Sequence, residues 1–383
     1  SEVVYNLAYL GTVAATSFNG IPFFSSGTSM YTKDVSGTDD SANVNAAFGF
    51  EALGSITTGD NNAALGYSAL GALSSGSNNV ALGYNAGVSI NSGAQNVLVG
   101  ALAGDALTTG INNTALGHAA LSAEDAHGYN VAVGYGALSV QNAGTNAYNV
   151  AVGYEAGVAV STGAQNTLIG GQAGQSLTTG EKNVAIGKAA LSSEDTGDRN
   201  VAIGNGALQT LNYDGSGYNV AVGYDAGVAM TTGVYNVLIG ATAGDAITTA
   251  EKNIAIGYGA LGAEDTHGRN IAIGDSALLV LNAGAYGYNV AIGHEAGAAM
   301  STGTNNVLVG GGAGDALTSG SRNTAIGHEA LSAEDGTGYA VAVGYQALRA
   351  QNSGGNSYNV AVGYNAGETI STGVENTLLG GKA

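Results

Sequence analysis

The pattern Asn-x-Ala-x-Gly-x-x-Ala tiles this chain, occurring twenty times between Asn45 and Ala383, once with Ala340 in place of the leading Asn. Starts lie 17 residues apart, except that every fourth step is 19, as from Asn130 to Asn149 and from Asn200 to Asn219. Four units therefore make a super-repeat of 70 residues. Such a period marks a solenoid, in which each unit buries its apolar face only against its neighbours. At 383 residues, length alone would suggest two or three globular domains. The period overrides that prior, because a stack grows without enlarging a central core. The fold expected is an all-β parallel β-solenoid over 45–383, preceded by a different segment, 1–44, read as a cap or docking element.

Each coil can be read position by position. In Asn130-Val131-Ala132-Val133-Gly134, Val131 and Val133 point to one face of a strand and Ala132 to the other. Glycine holds the fifth position in every coil, as at Gly134 and Gly204, which implies positive φ or a close backbone approach. Alanine holds the eighth, as at Ala137 and Ala207, which implies a tightly packed interior. The Asn row, including Asn130 and Asn200, reads as a structural hydrogen-bonded ladder. Adding the Thr-Gly and Ser-Gly turns gives about two short strands and two turns per coil. Twenty coils at about 4.8 Å each would form a rod on the order of 95 Å. The third position is Leu in five coils (Leu98, Leu168, Leu238, Leu308, Leu378), and there the sixth is small (Ala101, Gly171, Ala241, Gly311, Gly381). That exchange predicts volume compensation within one packed layer.

Composition excludes several classes. Glycine is abundant but does not fall every third residue, so collagen is excluded. A net charge of −19 without a basic block argues against nucleic acid. No apolar run is long enough for a spanning helix, and no membrane insertion is expected. Cysteine is absent, so no disulfide supports the fold. Residues 1–20 lack the basic and apolar regions of a signal peptide, and Ser1 suits loss of an initiator Met. The last coil stops at Gly380-Gly381-Lys382-Ala383, and an open strand edge there invites a partner or the next copy.

The core Asn-x-Ala-[Ile/Val]-Gly, as in Asn183-Val184-Ala185-Ile186-Gly187 and Asn253-Ile254-Ala255-Ile256-Gly257, resembles the head repeats of YadA-like trimeric autotransporter adhesins. Similar repeats occur in phage tail fibres. The resemblance covers residues 45–383. It implies a left-handed parallel β-roll and a side-by-side homotrimer with apolar strand faces turned toward its centre. The coils here are longer than is usual in that family, and the family's coiled-coil stalk and membrane barrel are not seen.

Candidate sites follow the rows. Tyrosines at the sixth position (Tyr67, Tyr84, Tyr135, Tyr154, Tyr224, Tyr258, Tyr345, Tyr364) would either stack on sugar rings or stack on one another and seal a seam. A second Tyr row directly precedes the Asn, as at Tyr129, Tyr148, Tyr218 and Tyr235. Acidic pairs recur once per super-repeat: Glu124-Asp125, Glu194-Asp195, Glu264-Asp265 and Glu334-Asp335. They read either as solvated turns or as Ca²⁺ ligands. His127 and His267 sit in the same turns. No Ser/His/Asp set or paired-carboxylate site recurs with fixed spacing, so no enzyme is expected. The function expected is a structural fibre of a virus particle, either a phage tail or a capsid fibre. Its partners would be itself, a virion attachment protein bound through 1–44, and a host surface glycan or protein. A secreted head-to-tail filament or adhesin at a cell surface is the alternative. A monomeric ice- or glycan-binding solenoid is a more distant one.

Overall fold

The computed structural model describes residues 17–18, 21–22, 24–26, 29–31 and 41–383 except 337. Among them the fold is all-β, a parallel β-solenoid of about twenty coils with no helix. The chain divides into two compact units, Ser1–Asn149 and Val150–Ala383. Ahead of the coils, β1 (Ser17–Phe18) pairs antiparallel with β2 (Ile21–Pro22), and β3 (Phe24–Ser26) with β4 (Ser29–Tyr31). β4 then meets the first coil strand in parallel, with Met30 opposite Ala46. Most of the 1–44 segment, including the strands expected at 3–5 and 7–10, lies outside the described residues.

Each coil contributes one strand of three residues, from Ala46–Phe48 in the first to Thr377–Leu379 in the last. Within each unit, neighbouring strands pair in strict register, as Val184 with Val201, Ala185 with Ala202 and Ile186 with Ile203. The middle residue is buried and the flanking ones are part-exposed, the alternation that a pleated strand imposes. The second strand expected in each coil is absent among the described residues. Tight turns held by left-handed residues take its place.

The coil 183–199 shows how. Ala189, Leu191 and Arg199 have φ of 55°, 53° and 59°. A non-glycine residue there costs about 1–2 kcal/mol, so the stack must repay it. It does so by turning each peptide toward an adjacent coil. Ala189 N–H donates back to Gly171 O at 3.0 Å, Leu191 N–H forward to Ala207 O at 3.0 Å, and Arg199 N–H back to Glu181 O at 3.1 Å. Gly204 closes the next strand at φ 139°, and a Cβ there would collide with the backbone of Gly223 in the following coil. Both expected reasons for glycine therefore apply.

The interior of a coil is lined by its first, third, eighth, ninth and twelfth residues: Asn183, Ala185, Ala190, Leu191 and Glu194 are all buried. Asn183 does two jobs. Its Nδ2 donates to Gly197 O at 2.8 Å, closing its own coil, and its Oδ1 accepts the Asn200 N–H at 2.9 Å from the next. Amide-to-amide bonds, such as Asn79 Nδ2 to Asn62 Oδ1 at 3.1 Å, supplement these side-chain-to-backbone bonds.

The predicted volume exchange is corrected. Leu98 points into the core, whereas Ala101 lies on the outside, so the two share no layer. Leu98 is accommodated instead by Gly87 and Gly104 at the ninth position, where Leu70 and Leu121 stand in neighbouring coils. A Cβ on Gly87 would lie 2.6 Å from one Leu98 methyl, and one on Gly104 would lie 2.9 Å from the other. Leu238 is flanked in the same way by Gly227 and Gly244.

Candidate functional site

Outward-facing side chains fall into columns, because every coil presents the same position to solvent. The sixth-position tyrosines are all exposed, from 43% at Tyr345 to 63% at Tyr258. Within each unit, consecutive rings of this column stack. Phe50, Tyr67 and Tyr84 form a ladder with centroid spacings of 5.7 and 5.4 Å. His328, Tyr345 and Tyr364 form another at 5.5 and 5.3 Å, and His118 stacks on Tyr135 at 5.4 Å. Within a ladder each ring covers its neighbour's face, so solvent meets mainly edges and hydroxyls. Face-on contact with a sugar is thus restricted to places where a ladder stops.

The column before the Asn mixes tyrosine with cations. Tyr129 stacks on Tyr148 at 5.1 Å, and Tyr218 on Tyr235 at 5.5 Å. Arg199 lies over Tyr218, Lys252 over Tyr235 and Arg322 over Tyr339, at 5.7, 5.9 and 5.4 Å. Sequence reasoning missed this arrangement. Its signal was present, since Lys182, Arg199, Lys252, Arg269 and Arg322, five of nine basic residues, all directly precede a coil start. Acidic neighbours pair with these cations, as Asp198 with Arg199 at 3.5 Å and Glu251 with Arg269 at 3.2 Å. The column therefore offers little free positive charge to a polyanion.

The acidic turns differ most from expectation. Glu124, Glu194, Glu264 and Glu334 do not sit in solvated loops. They occupy the twelfth position, inside the coil, and are fully buried. The adjacent Asp125, Asp265 and Asp335 are part-exposed or exposed, whereas Asp195 Oδ1 is buried without a hydrogen bond, and the turns use the carbonyls of all four. Thr108, Thr178, Thr248 and Thr318 hydroxyls donate to the four Asp carbonyl oxygens, the first three at 2.9 Å and the last at 2.6 Å. Those hydroxyls are thereby engaged between the turns of adjacent coils, not arrayed toward water.

Two turns bring a histidine to the carboxylates. Glu124, Asp125 and His127, and likewise Glu264, Asp265 and His267, each offer one ligand atom within 4.8 Å of the others. Glu124 is already committed: Oε1 accepts the His127 N–H at 3.2 Å and Oε2 accepts Gln141 Nε2–H at 3.1 Å. Calcium needs six to eight oxygen ligands. A buried, already bonded carboxylate beside an imidazole fits that poorly, and the mixed set leans toward a transition ion. In the turn of Glu194, Gly197 replaces the histidine, and its N–H donates to Glu194 Oε1 at 2.8 Å. Burial pushes the Glu194 and Glu264 carboxyls up to about 7, against the lowering effect of nearby backbone N–H groups. Burial also raises Asp105, Asp245 and Asp315 above the usual carboxylate range.

No family model and no curated protein matches this chain.

Proposed function

We propose that this chain is a structural fibre protein of a virus particle, in which three copies associate side by side and present a repetitive surface for host attachment. The observation that carries the reading is the outer face of the coil strands. In each unit the second and fourth coil positions are apolar or threonine throughout, with no charge in a chain of net charge −19. Val80, Leu82, Leu65 and Ile326 on this face are 43, 42, 47 and 39% exposed in the single chain. Near the first coils it forms a shallow apolar hollow of about 340 Å³, lined by Met30, Phe48, Leu65 and Leu82 among others. Parallel sheets are normally covered on both faces, and contiguous apolar patches of this kind mark contact surfaces.

In this reading the roll is left-handed, as in the adhesin head repeats it resembles, and the strand faces meet along a three-fold axis. Segment 1–44 docks on the virion, and the outward columns meet a host glycan or protein. The role is mechanical and adhesive, not catalytic. Light scattering on the native protein tests it. Three chains are expected. Val201→Asp, which places a charge on the strand face, is expected to abolish that assembly. A single chain sinks the fibre. A concentration-dependent polymer replaces it with a head-to-tail filament. A trimer that survives Val201→Asp moves the seam elsewhere.

A further inference from the structure

Five coils carry Ala or Gly at the sixth position, and core packing does not ask for it. The Leu of those coils is accommodated inside by glycine pairs, while the sixth position faces out. What the small residue does is leave a gap in the aromatic column. Over Ala241 that gap has a tyrosine on both sides, Tyr224 one coil before and Tyr258 one coil after. These are the most exposed tyrosines among the described residues, at 59% and 63%. The next residues outward in the column are Asn205 and Asp275, so neither ring is covered by an aromatic on its far side. Where this column holds consecutive rings they lie nearly parallel, with interplanar angles of 9–17°.

We propose that the slot above Ala241, walled by Tyr224 and Tyr258, binds a neutral pyranose ring. Two coil steps of about 4.8 Å set the walls roughly 10 Å apart. A flat aromatic guest, with carbon contacts of about 3.5–4.0 Å on each side, needs a span of only roughly 7–8 Å and would leave one wall untouched. A puckered sugar ring is thicker, and its axial C–H groups give it an apolar surface on both sides. The charge of −19, with Asp225 beside one wall and Asp275 beyond the other, repels uronic and sialic acids. A related gap over Ala101 has Tyr84 and His118 as walls. The proposal rests on reading the outer surface as the one that meets a partner, but not on the number of chains.

The chain contains no tryptophan, so Tyr258→Trp installs a single reporter in one wall. The full-length variant is titrated with methyl β-glucopyranoside, methyl β-galactopyranoside and methyl N-acetyl-β-glucosaminide while its emission is followed. At least one sugar is expected to give a saturable shift. Adding Ala241→Tyr, which fills the gap with the residue many coils carry there, is expected to abolish it. The same reporter placed mid-ladder by Tyr67→Trp is expected to stay silent, as is the slot with N-acetylneuraminic acid. No saturable shift with any methyl pyranoside overturns the proposal, as does a shift that Ala241→Tyr leaves intact. Saturation by phenol with silence from the sugars overturns the sugar assignment. A monomer by light scattering would sink the fibre without touching this result, whereas a silent titration on a trimer would sink the slot alone.

Discussion

The outer and inner super-repeats bury the same glutamate under different ceilings. In the first and fourth, the residue stacked on it is glutamine. Gln141 Nε2 donates to Glu124 at 3.1 Å and its Oε1 accepts from Asn149 at 2.9 Å; Gln351 links Glu334 and Asn359 at 3.1 and 2.8 Å. In the second and third, the stacked residues are Leu211 and Leu281. Glu194 Oε2 then has only a long bond from the Tyr213 N–H at 3.3 Å, and Glu264 Oε2 makes no well-formed hydrogen bond. Burial pushes both of these carboxyls, Glu194 and Glu264, up to about 7. The contrast shows two surroundings for a buried acid in a solenoid core: one that supplies a side-chain donor and one that caps the carboxyl with leucine.

The largest effect expected is from Gln141→Leu, which turns an outer block into an inner one. It removes the donor to Glu124 and one bond from Asn149, and should cost about 2–4 kcal/mol locally. Native-state hydrogen exchange of the amides over 124–149 reads this directly, because a stack opens coil by coil. Unchanged protection there would mean that the glutamine bridge contributes nothing.

Next comes pH. An inner glutamate has a folded value of about 7 against an ordinary value of 4.5, so the folded state holds the proton more tightly. Its stabilising contribution is complete below about 4.5, shrinks as pH rises between the two values, and is gone above about 7. Protection of the second and third super-repeats should therefore fall over that window. Glu194→Gln with Glu264→Gln should flatten the profile. A slope that persists in the double variant would assign it to other groups.

Glu264→Leu should have a smaller, favourable effect at pH 7.5, about 1–2 kcal/mol, because an apolar residue replaces a buried acid without a full set of partners. Thermal melting of wild type and variant side by side checks it, and a lower midpoint would show that the carboxylate is structurally required. The smallest change is Leu281→Gln, which offers Glu264 the donor that Glu124 already has. Net stability should move by no more than about 1 kcal/mol. The diagnostic is the titration midpoint of Glu264, which should drop below 7 by carboxyl NMR; an unmoved midpoint would show that the amide does not reach.

Much of the coil is legible in the sequence. Val131, Ala132 and Val133 alternate as a strand must, and Gly134 and Ala137 recur because a backbone approach and a tight interior tolerate nothing larger. The aromatic column is visible too, although which ring faces stay open is not. That depends on which coils lack a ring and on whether the small residue is already explained by packing. The Leu98 case shows the trap: Ala101 is near in sequence and correlated, yet it faces the other way, and the true partners are Gly87 and Gly104.

By itself, the sequence determined the period, the strand position and the inside–outside alternation within each strand, since side-chain direction along three extended residues is a local property. The tertiary structure alone decided that Glu124 points inward and Asp125 outward, that one strand per coil suffices, and that Ala189, Leu191 and Arg199 turn left-handed. Corner dihedrals of that kind are unfavourable in isolation. They exist because adjacent coils accept the hydrogen bonds they redirect, and the direction of every side chain beyond the corner follows from them.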